Sequence, residues 1–210
     1  LAPSQTSPDV MNYAWRDYGN RVGAWRFLEI FDRLELRTTA LMNSALIEKC
    51  PDLARACVDR GDDIAAHGKT NDEAQGNMSR QDEEAMIDQT LRHFDSLGVR
   101  PTGWLGPWIS ESHHTPDLLK SAGFRYVLDW AHDDQPIYLR TSDAGSLLSI
   151  PYSQEINDIP AIIARNQEAE SFASMISDAV TQLLSESDQR PLVLGIALHP
   201  YVMGQAHRAL

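Results

Sequence analysis

Two rhythms of apolar residues alternate along the chain. Short apolar runs that stop at a glycine or a polar residue are followed by longer stretches in which apolar side chains recur at helical spacing. Residues 1 to 10, rich in Pro and Ser, read as a loop. Phe27, Ile30, Phe31 and Leu34 then fall on one helical stripe, with Asn20 as the expected cap. Leu36 to Met42 reads as a strand, and Asn43 as the cap of a short helix. Pro51 opens another helix that Gly61 stops, and a strand over 63–67 follows. Ser79 and Asp82 start a helix carrying Ile87, Leu91, Phe94 and Leu97, ended by Gly98. Gly103 to Trp108 reads as a short strand breaking into a turn. Thr115-Pro116 starts a helix that Gly123 closes, and Tyr126-Val127-Leu128 is the next strand. Residues 137–150 predict a β-hairpin turned at Asp143-Ala144-Gly145, and Tyr152 to Pro160 a loop. A long helix around Ala169 to Leu184 and a charge-free strand over Leu192 to Leu198 complete the pattern. Helix alternating with strand predicts an α/β fold with parallel strands.

At 210 residues, 42% hydrophobic and 23% charged, the chain suits one domain with a sizeable core, spanning 1–210. A net charge of −12 repels phosphate backbones and anionic lipid, so neither nucleic acid nor a membrane is an expected partner. Cys50 and Cys57 lack the spacing of redox or zinc motifs and read as buried thiols of a cytoplasmic protein. No stretch approaches the roughly 18 to 20 apolar residues of a membrane span. Leu1 to Pro8 look like the interior of a longer polypeptide.

The chemistry is expected at two strand ends. Ile64-Ala65-Ala66 delivers His67, and Gly68 lets the backbone turn sharply beside a ligand. Ile196-Ala197-Leu198 likewise delivers His199. The two histidines suggest one site, although either alone is about as easily an ordinary strand-end residue. Asp129-Trp130-Ala131-His132-Asp133-Asp134 gathers carboxylates around an indole, and Tyr13 to Arg26 is dense in aromatics and arginine, a recognition surface or a self-packed rim. His93 is expected to be solvated, His113 and His114 to be loop residues, and His132 to lie on the rim.

Four pieces, in this order and spacing, resemble the polysaccharide deacetylase (NodB-homology, carbohydrate esterase family 4-like) superfamily, most closely its allantoinase-like and cyclic imidase-like branch. They are Tyr18-Gly19-Asn20-Arg21-Val22-Gly23-Ala24-Trp25-Arg26, Ala66-His67-Gly68, Gly103-Trp104-Leu105-Gly106-Pro107 followed by Asp129-Trp130 and Asp133-Asp134-Gln135-Pro136, and Leu198-His199-Pro200-Tyr201. The resemblance, from about Asp9 to Leu210, implies a distorted, incomplete (β/α)7-type barrel with its site at the carboxyl ends of the strands. Both ends look trimmed against the family, and the exposed sheet edge this would leave invites a homo-oligomer.

The resemblance also implies roles. His199 matches the general acid, and Asp129 is its expected orienting carboxylate. Arg21, Trp104, Pro107, Trp130, Asp133 and Asp134 are the expected substrate contacts. His67 matches the first histidine of the metal-binding pair, whereas Asn71 stands at the second, no first-strand Asp motif precedes Tyr13, and Leu105 replaces an arginine. The expected cofactor is therefore none, or a weakly held divalent metal such as zinc. The implied reaction is hydrolysis of a non-peptide carbon–nitrogen bond, in an N-acetylated sugar or a small cyclic amide or imide. The alternative is a catalytically inactive module that binds a small molecule or carbohydrate.

Overall fold

Strands β1 (Thr39–Met42) and β2 (Asp63–Ala66) lie parallel in the computed structural model of the chain, Thr39 opposite Asp63 and Met42 opposite Ala66. The structure describes residues 7–143 and 145–209. These form two compact units, one comprising the described residues up to Leu36 with those from Ser153 onward, the other Arg37–Tyr152.

The sheet belongs to the second unit. β2 pairs in parallel with β3 (Gly103–Trp104), β3 with β4 (Tyr126–Val127), and β4 with β6 (Ser146–Ser149). β5 (Ile137–Arg140) is the antiparallel partner of β6, giving the order β1-β2-β3-β4-β6-β5. Among the described residues the sheet does not close on itself, in keeping with an incomplete barrel. The 137–150 hairpin forms, with Ala144 of its turn outside the described residues. Ala65, Ala66, Trp104 and Val127 are fully buried at the sheet centre, which explains the charge-free runs there.

Helices α3 (Ala45–Lys49), α4 (Pro51–Asp59), α5 (Arg80–Leu97) and α6 (Thr115–Ser121) connect the strands. Ser79 Oγ accepts the Asp82 N–H at the start of α5, and Gly98 ends it in the left-handed region at φ 75°. Ile87, Leu91, Phe94 and Leu97 form its buried stripe, each worth about 1.5–3 kcal/mol on burial. Asn43 does not cap α3; its amide spans His67 O and Asn71 Oδ1 instead. Thr115 is the first residue of α6, with Pro116 following it in the first turn.

The first unit is helical. α1 (Val10–Tyr18) passes through a widened π turn at Gly19–Gly23 into α2 (Ala24–Arg33). The cap is therefore Asp9, whose Oδ1 accepts the Asn12 N–H, and Asn20 sits within the helical run. After a second π segment, Ile159–Ala164, come α7 (Ala169–Glu186) and α8 (Pro200–Met203). Ile156, Ala161, Ile162, Phe172 and Val202 form this unit's core. The expected strand over 192–198 is reduced to one parallel bridge, Asn157 with Ala197, so most of that apolar run lies unpaired as irregular chain.

Candidate functional site

His199 is placed by that bridge. Ala197 N–H donates to Ile156 O, and Asp158 N–H donates to Ala197 O, so residues 156–158 run beside 197–199 and Asp158 faces His199. Asp158, fully buried, accepts the His199 backbone N–H at Oδ2 (2.7 Å) and the ring Nδ1–H at Oδ1 (2.6 Å). A carboxylate on Nδ1 sets the tautomer and leaves Nε2 as the atom for proton transfer. The carboxylate hydrogen-bonded to the His199 ring is Asp158, whereas Asp129 Oδ1 accepts from Gly106. The signal of Asp158 in the sequence, an acid just before Ile159-Pro160, is too common in loops to single out.

The motif Gly19 to Gly23 acts from beneath. A β-carbon on Gly23 would lie 2.1 Å from Pro200 O, and one on Gly19 would lie 2.9 Å from the Tyr201 backbone N. These glycines let the turn after His199 rest directly on the helix backbone. Trp15 meets the Tyr201 ring edge-on at 4.7 Å, Arg16 lies over that ring at 5.2 Å, and Arg26 donates to Gly204 O. Arg21 points outward, 76% exposed, and pairs with Asp17 at 3.7 Å.

In the sheet unit, His67 follows β2 immediately. Its N–H donates to Met42 O, and its ring Nδ1–H donates to Leu105 O at 2.7 Å, which puts the lone pair on Nε2. Gly68, at φ 61°, is doubly constrained: a β-carbon there would also fall 2.6 Å from the buried Pro107. Pro107 therefore serves as a packing contact for this turn. Leu105 is buried, and its carbonyl rather than its side chain serves the site.

The ring orientation suits His67 as a metal ligand, but the donor set does not suit a metal. Asn71 Oδ1 is occupied by Asn43 Nδ2–H at 2.9 Å, and no three His, Cys, Asp or Glu side chains converge among the described residues.

Trp104, an expected substrate contact, lies in the core instead. It is fully buried, edge-on to Phe124, with its indole N–H on Gln75 Oε1 at 2.9 Å. The exposed tryptophans at these strand ends are Trp108 (70%) and Trp130 (43%). Trp108 Nε1–H donates to Asn71 O, and Trp130 Nε1–H donates to Glu111 Oε2, so both rings are held. Asp129 Oδ1 accepts the Gly106 N–H at 2.7 Å, and burial together with the neighbouring Glu111 pushes its carboxyl well above the usual range. Asp133 is exposed and turns on the Gln135 N–H, and Asp134 is exposed. His132 packs on Trp130, ring centroids 5.9 Å apart, while His113 and His114 are exposed. His93 is not simply solvated; its Nδ1 meets buried Ser44 Oγ at 3.0 Å.

Sequence reasoning missed a buried polar cluster under the loop after β3. Glu83, without solvent exposure, accepts from Gln75 Nε2, Ser112 Oγ and Thr115 Oγ1. Glu83 sits on the polar flank of an otherwise amphipathic pattern, and nothing in the one-dimensional spacing distinguishes it from a solvated acid. A cavity of about 530 Å³ lies elsewhere, lined by Lys120, Arg125, Tyr126 and Tyr138 among others.

The polysaccharide deacetylase family model matches residues 7–127, more than half of the chain. A peptidoglycan deacetylase of Helicobacter pylori is 29% identical over 167 residues, covering 79% of this chain and 56% of its own. Among solved structures, the Puue allantoinase is 27% identical with a TM-score of 0.86, over 95% of this chain and 67% of its own. A probable polysaccharide deacetylase from Pseudomonas aeruginosa PAO1 is 28% identical with a TM-score of 0.82, over 93% of this chain and 65% of its own. The chain spans about half the length of the curated relatives that it matches.

Proposed function

The chain belongs to the polysaccharide deacetylase family, and from that premise we propose that it hydrolyses a non-peptide carbon–nitrogen bond with His199 as the proton donor. The substrate is an N-acetylated sugar or a small cyclic amide or imide, the classes to which the names of the deacetylase and allantoinase relatives point. Water adds to the carbonyl carbon as its proton passes to His199 Nε2 and the carbonyl π pair moves onto oxygen; the oxyanion pair then re-forms the C=O bond, and the C–N bond breaks as the nitrogen takes that proton from Nε2. The observation that carries this reading is the double hold of buried Asp158 on His199, an arrangement that fixes an imidazole for directional proton transfer. A helix start needs no such acid; α8 begins with Pro200, whose fixed φ suffices.

Asp129 serves as a further acid–base group, and Arg21, Trp130, Asp133 and Asp134 as substrate contacts. No step is routed through a metal, because Asn71 and its Asn43 partner do not complete a donor set with His67. Both units belong to one family domain, and a single unfolding transition followed by two probes tests that part. The free thiols of Cys50 and Cys57 support a cytoplasmic setting, which cell fractionation tests. No helix among the described residues is long and apolar enough to cross a membrane.

The deciding experiment is turnover of an N-acetylglucosamine oligomer and of a cyclic imide by wild type and His199→Ala. A loss of about 10²-fold or more supports the reading, and unchanged rates remove His199 from it. Binding without turnover of either class by the wild type establishes the inactive binding module instead.

A further inference from the structure

Glu111 and Asp129 each have one carboxyl oxygen satisfied by an N–H, Glu111 Oε2 by Trp130 Nε1 at 3.1 Å and Asp129 Oδ1 by Gly106 at 2.7 Å. Their other oxygens, Glu111 Oε1 and Asp129 Oδ2, are sealed from solvent, and no donor reaches them. The two side chains are hydrogen-bonding neighbours. Two ionised carboxylates so placed repel each other in a poorly solvated site, whereas one proton between them makes a short charge-assisted bond and satisfies both orphan oxygens. We propose that Glu111 and Asp129 share a single proton, and that this proton latches the loop after β3 to the loop after β4. Glu111 is thereby a positioning residue for Trp130.

The latched segment needs holding. Trp108 (φ 62°) and Ile109 (φ 53°) are consecutive non-glycine residues in the left-handed region, at a cost of about 1–3 kcal/mol each, and a β-branched residue there is rare. The loop has a fixed foot at Ser112 and Thr115, both bound to Glu83. Its other end is Gly106, where a β-carbon would meet Ser110 O at 2.6 Å and Asp129 Oδ2 at 3.2 Å. Between these anchors, the attachment to the β4 side runs through Glu111.

The charged groups acting on the pair make the latch responsive in one direction. Beyond their mutual contact, Glu111 also faces the carboxylate of Glu83 from α5, and burial raises both Glu111 and Asp129. The folded form thus keeps a proton that a solvated carboxyl releases. The latch is closed at low pH and is lost as pH rises through the pair's raised value, when two or three negative charges crowd one site. Nothing here depends on the proposed hydrolysis.

Hydrogen exchange of the 106–111 amides and tryptophan fluorescence between pH 5 and pH 9 test the latch in the unliganded chain. In the wild type, exchange corrected for its intrinsic pH dependence is expected to rise at least about tenfold across one titration, with a fluorescence change that Trp130→Phe removes. In Glu111→Gln the amide N–H donates to Asp129 Oδ2 at every pH, so both signals become flat. A wild type without the transition, or a Glu111→Gln variant that keeps it, overturns the proposal. Should Glu111→Gln not fold, carboxyl ¹³C titration of the wild type decides: both groups ionising at ordinary carboxylate values overturns the latch, and one proton retained above that range supports it.

Discussion

Asp158 grips His199 at two points, one oxygen on the backbone N–H at 2.7 Å and the other on the ring Nδ1–H at 2.6 Å. The first bond places the residue and the second orients its ring. Asp158→Asn keeps the size of the side chain but weakens the acceptor on Nδ1 and allows the wrong tautomer. The proposed hydrolysis should lose about 10- to 100-fold in kcat with little change in KM. A rate within twofold of wild type removes Asp158 from the mechanism.

Gly23→Ala tests the seat beneath that histidine. Its β-carbon would lie 2.1 Å from the Pro200 carbonyl oxygen, a backbone atom that cannot turn away. Urea unfolding should show a loss of about 1–3 kcal/mol or more. Arg21→Ala, an exposed position on the same helical run, should stay within about 0.5 kcal/mol. Equal stabilities would mean that the helix carrying Gly23 shifts freely.

Trp104→Phe separates a core role from a substrate role. Phenylalanine retains much of the packing on Phe124 but leaves Gln75 Oε1 without its indole donor. A buried acceptor so stranded costs about 1–3 kcal/mol. Thermal unfolding should register that loss, and substrate affinity should not move. Weakened binding at unchanged stability would return Trp104 to the substrate contacts.

Metal affinity is tested at Asn71. Equilibrium dialysis against zinc should leave wild type substoichiometric, and Asn71→His, which adds an imidazole four residues after His67, should bind about tenfold tighter. Stoichiometric zinc in wild type that His67→Ala abolishes would contradict the reading of the donor set.

Burial, with Asp62 nearby, pushes the Cys57 thiol up to about 11. The folded chain keeps this proton while the unfolded chain releases it near its ordinary value. The thiol's contribution to stability is therefore present below about pH 9 and is lost between about 9 and 11. Alkylation at pH 8 should label Cys57 only on unfolding. Rapid labelling of native Cys57 would show that α4 opens locally.

Where a residue's role depends on its neighbours along the chain, it was legible. Gly98 ends α5 and Gly68 turns the chain after His67 because a left-handed backbone favours glycine wherever the fold places it. The strands over 63–66 and 126–127 show as apolar runs because they are buried in the sheet. The run over 192–198 carries the same signal, yet only Ala197 bridges to another segment, since a strand requires a partner that composition cannot supply. Asn20 has the chemistry of a cap, but the helix continues through it from Asp9.

The sequence by itself determined the alternation of helix and strand, the helix stops and the positions of His67 and His199, because these follow from periodicity, backbone sterics and residue chemistry. Tertiary structure alone decided which carboxylate serves which partner. Asp158 and His199 are 41 residues apart; Glu111 and Asp129 meet only because β3 and β4 are neighbours in the sheet. A carboxylate reads the same in one dimension whether water, an imidazole or another acid faces it, and the folded chain makes that choice.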